Sequence, residues 1–210
     1  MNKILILGVN GMIGHRLWLE AQRVKNAEVY GYMRRKPNHE IFDSKVFGGF
    51  DVHDWSRLED RLSEYKPNFI VNAVGITLRK PDIADLSRAL EVNSILPRRL
   101  LKWAQANNSK VIHLSTDCVF DGAKGKYTEL SQPSALDIYG RSKFLGEIEG
   151  SAALTLRFSC IGRELESHTE LLDWFLAQKT ASVKGYSKAL YSGLTSIVIA
   201  REVCRIIMNF

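Results

Sequence analysis

Ile4-Leu5-Ile6-Leu7-Gly8-Val9-Asn10-Gly11-Met12-Ile13-Gly14 decides the reading of the whole chain. The apolar run is short and bounded by glycine, which fits a strand buried on both faces. From His15 to Val24 the residues Leu17, Ala21 and Val24 recur at helical spacing. The three glycines therefore stand between a strand and a helix. A helix N-terminus there offers unpaired N–H groups and the positive end of the helix dipole to a pyrophosphate. Gly8 suits the tight turn, Gly11 a close approach of phosphate to the backbone, and Gly14 the packing of helix on sheet. Asn10, Met12 and Ile13 share the loop and become cofactor contacts on this reading. The spacing is G-x-x-G-x-x-G rather than G-x-G-x-x-G, and the alternative is a plain glycine-rich turn.

The next strand, Glu28 to Met33, ends in Arg34-Arg35-Lys36. In a dinucleotide fold this point meets the adenosine ribose, where an acidic residue binds a 2′-hydroxyl and an arginine accommodates a 2′-phosphate. No Asp or Glu lies between Tyr30 and Asn38. The expected cofactor is therefore NADPH, with NADH the alternative and Arg34 and Arg35 as phosphate clamps. The competing reading is a solvated basic loop. Val46 to Val52 reads as a short strand whose end, Asp51-Val52, could flank the adenine or form a surface turn. Trp55 to Tyr65 reads as an amphipathic helix stopped at Lys66-Pro67. Phe69 to Gly75 reads as a buried strand, and its Asn72-Ala73-Val74 would let a cofactor lie against the backbone.

Ile83 to Asn107 reads as a helix broken or kinked near Pro97, with Asn93 inside it, where asparagine competes for backbone bonds, and the alternative is a plain surface asparagine. Lys110 to Leu114 is the next expected strand. It runs into Ser115-Thr116-Asp117-Cys118-Val119-Phe120-Asp121-Gly122. Two hydroxyls and a carboxylate at a strand's C-terminal end lie where ligands bind in open α/β sheets, although Ser and Thr also cap turns. Tyr139 and Lys143 open a helix running to about Glu149 and share one of its faces. An ammonium beside a phenol lowers a pKa that is ordinarily about 10, making the phenol a proton donor or acceptor for neutral pH, and the competing reading is a core Tyr beside a surface Lys. Leu154 to Ser159 reads as a strand and Lys184 to Gly193 as a loop. Glu170 to Gln178 is so apolar as a helix that it is expected to be largely buried. Thr195 or Ser196 can cap a last helix, Ile197 to Met208.

Strands alternating with helices indicate an α/β fold, a doubly wound parallel sheet of Rossmann type. A chain of 210 residues suffices for one domain with a sizeable core and a small lobe. The expected division is a dinucleotide-binding domain over 1–160 and a partial substrate lobe with a returning helix over 161–210. The net charge of +6 would suit nucleic acid, but the basic residues are dispersed and no run exceeds Arg34-Arg35-Lys36. No apolar run reaches membrane-spanning length, and a strand starting almost at Met1 leaves no room for a signal peptide. Cys118, Cys160 and Cys204, odd in number and widely spaced, point to free thiols in a reducing compartment and to no metal site. The expected location is cytoplasmic.

The ordered set Gly8/Gly11/Gly14, Asn72-Ala73, Asn93, Ser115-Thr116-Asp117 and Tyr139-x-x-x-Lys143 resembles the extended short-chain dehydrogenase/reductase superfamily. Within it, Ser-Thr-Asp-x-Val-Phe-Asp-Gly at 115–122 looks like the dTDP-4-dehydrorhamnose reductase family of sugar-nucleotide reductases. The resemblance covers nearly the whole chain. It implies NADPH-dependent reduction of a nucleoside-diphosphate 4-keto-6-deoxy sugar in cell-surface polysaccharide precursor synthesis. Tyr139 is then the general acid, while Lys143 binds the nicotinamide ribose and tunes Tyr139. Thr116 would bond the substrate carbonyl, with Ser115 as backup. Asn93 would shape the site and a water relay, and Asp117, Val119 and Phe120 would touch the sugar. A homodimer fits the resemblance.

Two departures stand out. Cys118 occupies the place of a family Tyr and of the Glu used by sugar-nucleotide dehydratases, which argues against dehydration. The sequence also stops soon after Met208, where relatives continue into the substrate lobe; a fragment or a short, open pocket is expected. Two rivals follow from the same resemblance. One is a non-catalytic NADP-binding regulatory subunit, like that of methionine adenosyltransferase. The other is an NAD-dependent sugar-nucleotide epimerase that retains its cofactor.

Overall fold

The computed structural model describes residues 1–35, 39–78, 81–179 and 182–210; Lys36 of the basic run lies outside them. The opening run forms β1 (Asn2–Leu7), followed by α1 (Gly14–Ala21), β2 (Ala27–Met33), β3 (Val46–Gly48), α2 (Trp55–Tyr65) and β4 (Phe69–Asn72). Then come α3 (Leu86–Leu90), α4 (Leu96–Ala106), β5 (Lys110–Leu114), α5 (Ile138–Leu145) and β6 (Ala153–Leu156). A small pair, β7 (Cys160–Ile161) and β8 (Leu194–Thr195), brackets α6 (Leu171–Leu176), and α7 (Ser196–Asn209) ends the chain.

Six parallel strands form one sheet in the order β3-β2-β1-β4-β5-β6. The order reverses between β1 and β4, and that switch point opens a crevice at the strands' C-terminal ends. The expected doubly wound sheet is present. Alternation along β1 explains both layers. Ile4 and Ile6 face a core shared with Leu17 and Trp18 of α1 and with Ile199, Val203 and Ile207 of α7. Leu5 and Leu7 face a second core with Leu58 and Leu62 of α2 and with Leu100 and Trp103 of α4. Each fully buried aliphatic side chain contributes roughly 1.5–3 kcal/mol. Trp18 joins the first core without a polar penalty, because its indole N–H donates to Ile41 O at 2.9 Å.

The structure differs from the expected elements in three places. The expected long helix is a 3₁₀ turn (Pro81–Ala84), α3, a π turn over Glu91–Ile95, and α4. The break precedes Pro97, which sits in the first turn of α4, where its missing N–H costs nothing. The strand expected over 46–52 is only Val46–Gly48. The third difference is α6, which is not buried. Leu171, Trp174, Phe175 and Leu176 are all exposed. The residue this helix turns inward is Asp173, which accepts from Arg163 Nε and from the backbone N–H of Glu164 at 2.7 Å. That polar anchor, absent from any count of apolar residues, fixes which face of α6 points in.

Candidate active site

A cleft of ≈ 500 Å³ lies over the switch point, within the size range of small-molecule sites. Gly8, Asn10, Gly11, Met12 and Ile13 line one wall, and Ala73, Val74 and Gly75 the floor. Arg34, Asp51 and Val52 close one end. The glycines divide their labour. Gly8 has φ +85°, open to glycine at little cost. A Cβ on Gly14 would lie 1.9 Å from Gly8 O, so the helix could not sit where it does. A Cβ on Gly11 would meet only Gly8 O, at 3.3 Å, and otherwise open space. A side chain at 11 asks the fold only for a shift of a few tenths of an ångström at Gly8 O, far less than at 14, whereas a ligand lying on the loop would be displaced by it. Among the described residues the N–H groups of Met12 and Ile13 have no partner. His15 Nδ1 donates to Gly11 O at 2.9 Å, and burial lowers the pKa of the ring, keeping it neutral. The loop is thus a preformed cradle of unpaired donors, which fits a pyrophosphate.

This division makes a prediction. Gly14→Ala is expected to lower stability by about 1–3 kcal/mol or more, the range for forced overpacking. Gly11→Ala is expected to keep the parent melting temperature and to weaken dinucleotide binding. Thermal unfolding and fluorescence titration of both variants check it; equal loss of stability in the two would show that both glycines serve the fold alone.

Two buried amides suspend the cleft floor. Asn72 Oδ1 accepts from Val74 N at 3.2 Å, and Asn72 Nδ2 donates to His113 Nδ1 at 3.1 Å. Asn93, wholly buried in the π turn, accepts from Ile76 N at 2.9 Å and donates to Ile76 O and Ser142 Oγ, both at 3.0 Å. Every bond of the Asn93 amide goes to protein, so its role is to position the 73–76 floor against α5. A surface asparagine would leave the wider π turn without this explanation. His113 was not singled out from the sequence; it is fully buried, and burial and then the Lys143 charge hold its pKa well down.

At the other end of the floor stand the residues of the expected chemistry. Thr116 Oγ1 accepts from Cys118 N at 3.1 Å. The Asp137 side chain caps α5 by accepting from Gly140 N at 2.8 Å. Gly140 admits the Cys118 carbonyl, which a Cβ would meet at 2.2 Å, and so brings Tyr139 beside Thr116. Lys143 is buried, with its Nζ donating to Leu114 O at 2.7 Å. It sits under Gly75, 3.8 Å from where a Cβ there would lie. Burial lowers its pKa to about 8, with Glu147 pulling the other way.

The Tyr139 phenol departs from expectation. Its pKa is raised to about 12, by burial first, against a smaller lowering by the Thr116 hydroxyl, with Cys118, Asp117 and Glu170 adding to the rise. Lys143 is not among the causes, because its ammonium is turned to the Leu114 carbonyl and is itself weakened by burial. Asp117 is exposed at the turn, while Ser115 Oγ donates to Glu147 Oε1 at 2.8 Å and Arg157 grips the same carboxylate twice. Phe120 stacks on Tyr127 at 4.2 Å with Arg157 over its ring. Two expected contacts are misplaced. Val119 is fully buried and serves packing, so it cannot touch a sugar. Arg35 is exposed and outside the cleft lining, whereas Arg34 is in it. The sequence reading also missed Thr77, Asp82 and Arg88 in the cleft wall, and Glu164, Glu166 and Glu170 on the loop facing the cradle. Asn10 Nδ2 reaches Glu166 Oε2 at 3.5 Å.

Among the described residues no helix is long and apolar enough to cross a membrane, and no group of His, Cys, Asp and Glu is arranged to hold a metal.

Residues 1–162 match the RmlD substrate binding domain family. The dTDP-4-dehydrorhamnose reductase of Aggregatibacter actinomycetemcomitans is 36% identical over 148 residues, 70% of this chain and 46% of that protein. Methionine adenosyltransferase 2 subunit beta of Rattus norvegicus is 29% identical over 175 residues, 80% of this chain and 49% of its own. The chain thus spans about half the length of the curated relatives it matches. Among solved structures, dTDP-4-dehydrorhamnose reductase from Bacillus anthracis, in complex with NADP, superposes with a TM-score of 0.80 at 21% identity, over 99% of this chain and 71% of that one.

Proposed function

Because the chain belongs to the RmlD substrate binding domain family, we propose that it is an NADPH-dependent reductase of a nucleoside-diphosphate 4-keto-6-deoxy sugar, with NADH the second cofactor choice. One observation carries the proposal. An open glycine cradle lines the cleft over the ends of β1 and β4, and Lys143 lies beneath the cleft floor at Gly75, on the same helix as Tyr139, which stands beside Thr116 just past β5. When bound, NADPH supplies the hydride. The unpaired Met12 and Ile13 N–H groups would hold its pyrophosphate, the Arg34 charge would meet its 2′-phosphate, and the Ala73–Gly75 floor would support its nicotinamide half. Tyr139 gives its phenolic proton to the oxygen developing at the reduced carbon. Thr116 Oγ1 donates a hydrogen bond to that oxygen, and the Lys143 ammonium, beneath the floor at Gly75, would hold the nicotinamide ribose. Acid catalysis of this kind contributes about 10²–10⁴-fold, and an oriented donor a comparable factor.

Residues 1–160 serve on this reading as the dinucleotide-binding domain. Residues 161–210 supply part of the substrate lobe, and α7 returns to the first core. Asp117 and Phe120 face the sugar. A cytoplasmic place in polysaccharide precursor synthesis and a homodimer belong to the same proposal. The regulatory alternative is favoured by the 29% identity to methionine adenosyltransferase 2 subunit beta. Against it stands the complete Thr116, Tyr139 and Lys143 set, which a scaffold has no chemical need to assemble.

The test follows NADPH absorbance with a panel of dTDP- and UDP-linked 4-keto-6-deoxy sugars. Oxidation dependent on one sugar nucleotide supports the reductase. Dinucleotide binding without oxidation of any panel member supports the regulatory reading. A dinucleotide that stays bound through purification supports the epimerase.

A further inference from the structure

Two guanidinium groups share two carboxylates at the adenosine end of the cleft. Arg88 on α3 is committed to its neighbours. Its Nε donates to Asp82 Oδ2 at 3.0 Å, one terminal nitrogen to Asp51 Oδ2 at 2.7 Å, and the other to His53 Nε2 at 2.6 Å. His53 Nδ1 in turn lies against the Glu91 carboxylate. Burial raises the Asp51 carboxyl, but Arg88 and His53 outweigh it and the net shift is downward, so Asp51 is ionised at neutral pH. Arg34, just past the end of β2, is held differently. Its terminal nitrogen lies 3.8 Å from Asp51 Oδ2 and 3.7 Å from Asp82 Oδ2. Those are ion-pair distances without a hydrogen bond. The Arg34 side chain is 54% exposed. Its donors are uncommitted while its charge is shared.

We infer that Asp82, bridged to Asp51 through Arg88, is a specificity-determining residue for the dinucleotide. It draws Arg34 into an acidic clasp, and so sets how strongly a 2′-phosphate is preferred over a 2′-hydroxyl. The inference rests on the dinucleotide reading proposed above. A 2′-phosphate carries a charge of about −1.5 to −2 at neutral pH. It has to take Arg34 away from two carboxylates and remain beside them afterwards. A 2′-hydroxyl is neutral and faces no such competition. Of the two acids, Asp82 is the one whose charge can be removed with least disturbance. It sits in a single 3₁₀ turn with its side chain 42% exposed, and α3 has its own cap in Asp85.

The experiment measures dissociation constants of NADPH and NADH by quenching of tryptophan fluorescence, for the parent protein, Asp82→Asn and Asp82→Glu. The NADPH-to-NADH affinity ratio is expected to rise about five-fold in Asp82→Asn, the upper end for an exposed ion pair. The gain should come from tighter NADPH binding and shrink in high salt. Asp82→Glu, which keeps the charge, is expected to keep the parent ratio. A ratio that is unchanged or lower in Asp82→Asn overturns the clasp and leaves dinucleotide binding standing. A parent protein that binds neither dinucleotide overturns the dinucleotide reading, and the clasp with it.

Discussion

Tyr139→Phe is expected to lower turnover of the keto sugar nucleotide by about 10²–10⁴-fold while NADPH affinity stays within about two-fold of the parent. The variant keeps the ring and removes one oxygen. Burial holds the phenol's pKa at about 12, so it is fully protonated through neutral pH. That is the state a proton donor must start from. The phenol lies beside Thr116, at the end of the floor away from the glycine cradle, so the cofactor's phosphates do not sense it. The measurement is steady-state NADPH oxidation together with a binding titration of the same preparation. Turnover within about ten-fold of the parent would refute the acid role, because it would leave no room for the smallest general-acid contribution.

Lys143→Met should separate function from stability. Loss of the ammonium is expected to cost about 10²–10³-fold in turnover, the range for removing one preorganised stabilising group. Its effect on the fold runs the other way. The folded pKa of Lys143 is about 8, below its ordinary 10.5, so it is the charged form that the interior penalises. The unfolded chain binds that proton more tightly. The penalty is therefore fully present below pH 8 and is relieved as pH rises from about 8 to 10.5. A shift of this size corresponds to about 3 kcal/mol, from which the unmet Leu114 carbonyl of the variant takes back roughly 1–3 kcal/mol. Lys143→Met is thus expected to be neutral to stabilising by up to about 2 kcal/mol at pH 7, and progressively less favourable toward pH 10.5. Denaturant unfolding of both proteins at three pH values checks this. A variant less stable than the parent by the same amount at every pH would mean that the buried charge costs nothing. The parent's reductase activity should fall as pH rises through about 8, where the ammonium is lost.

How much of this was legible in the residues depended on the range of the interaction. β1 and α1 could be read because an apolar run, a glycine turn and a helical face are local patterns, and the sheet followed from repeating them. The placing of Gly8, Arg34, Asn72, Thr116, Tyr139 and Lys143 near the strand ends follows from that order. What could not be read depends on partners far along the chain. Asp51 and Arg88 are 37 residues apart and meet only once α3 has packed beside the loop that follows β3. Asn93 became a clamp because Ile76 and Ser142 arrive on either side of it. The exposed face of α6 was misjudged because a count of Leu, Trp and Phe is blind to the one buried carboxylate, Asp173. The direction of the Tyr139 shift was missed because spacing puts Lys143 on the same helix face but cannot say that its ammonium bonds a strand carbonyl instead.

The packing of α7 against α1 has a consequence in time. On the ribosome the glycine loop and its supporting helix α1 are made long before α7, the wall that α1 packs against. Ile199, Val203 and Ile207 join the core of Leu17 and Trp18 only after the whole sheet has been synthesised, and contacts so distant along the chain are slow to form. A growing chain therefore emerges with the helix behind its cradle half covered. A nascent chain stalled before α7 should need a chaperone to stay soluble.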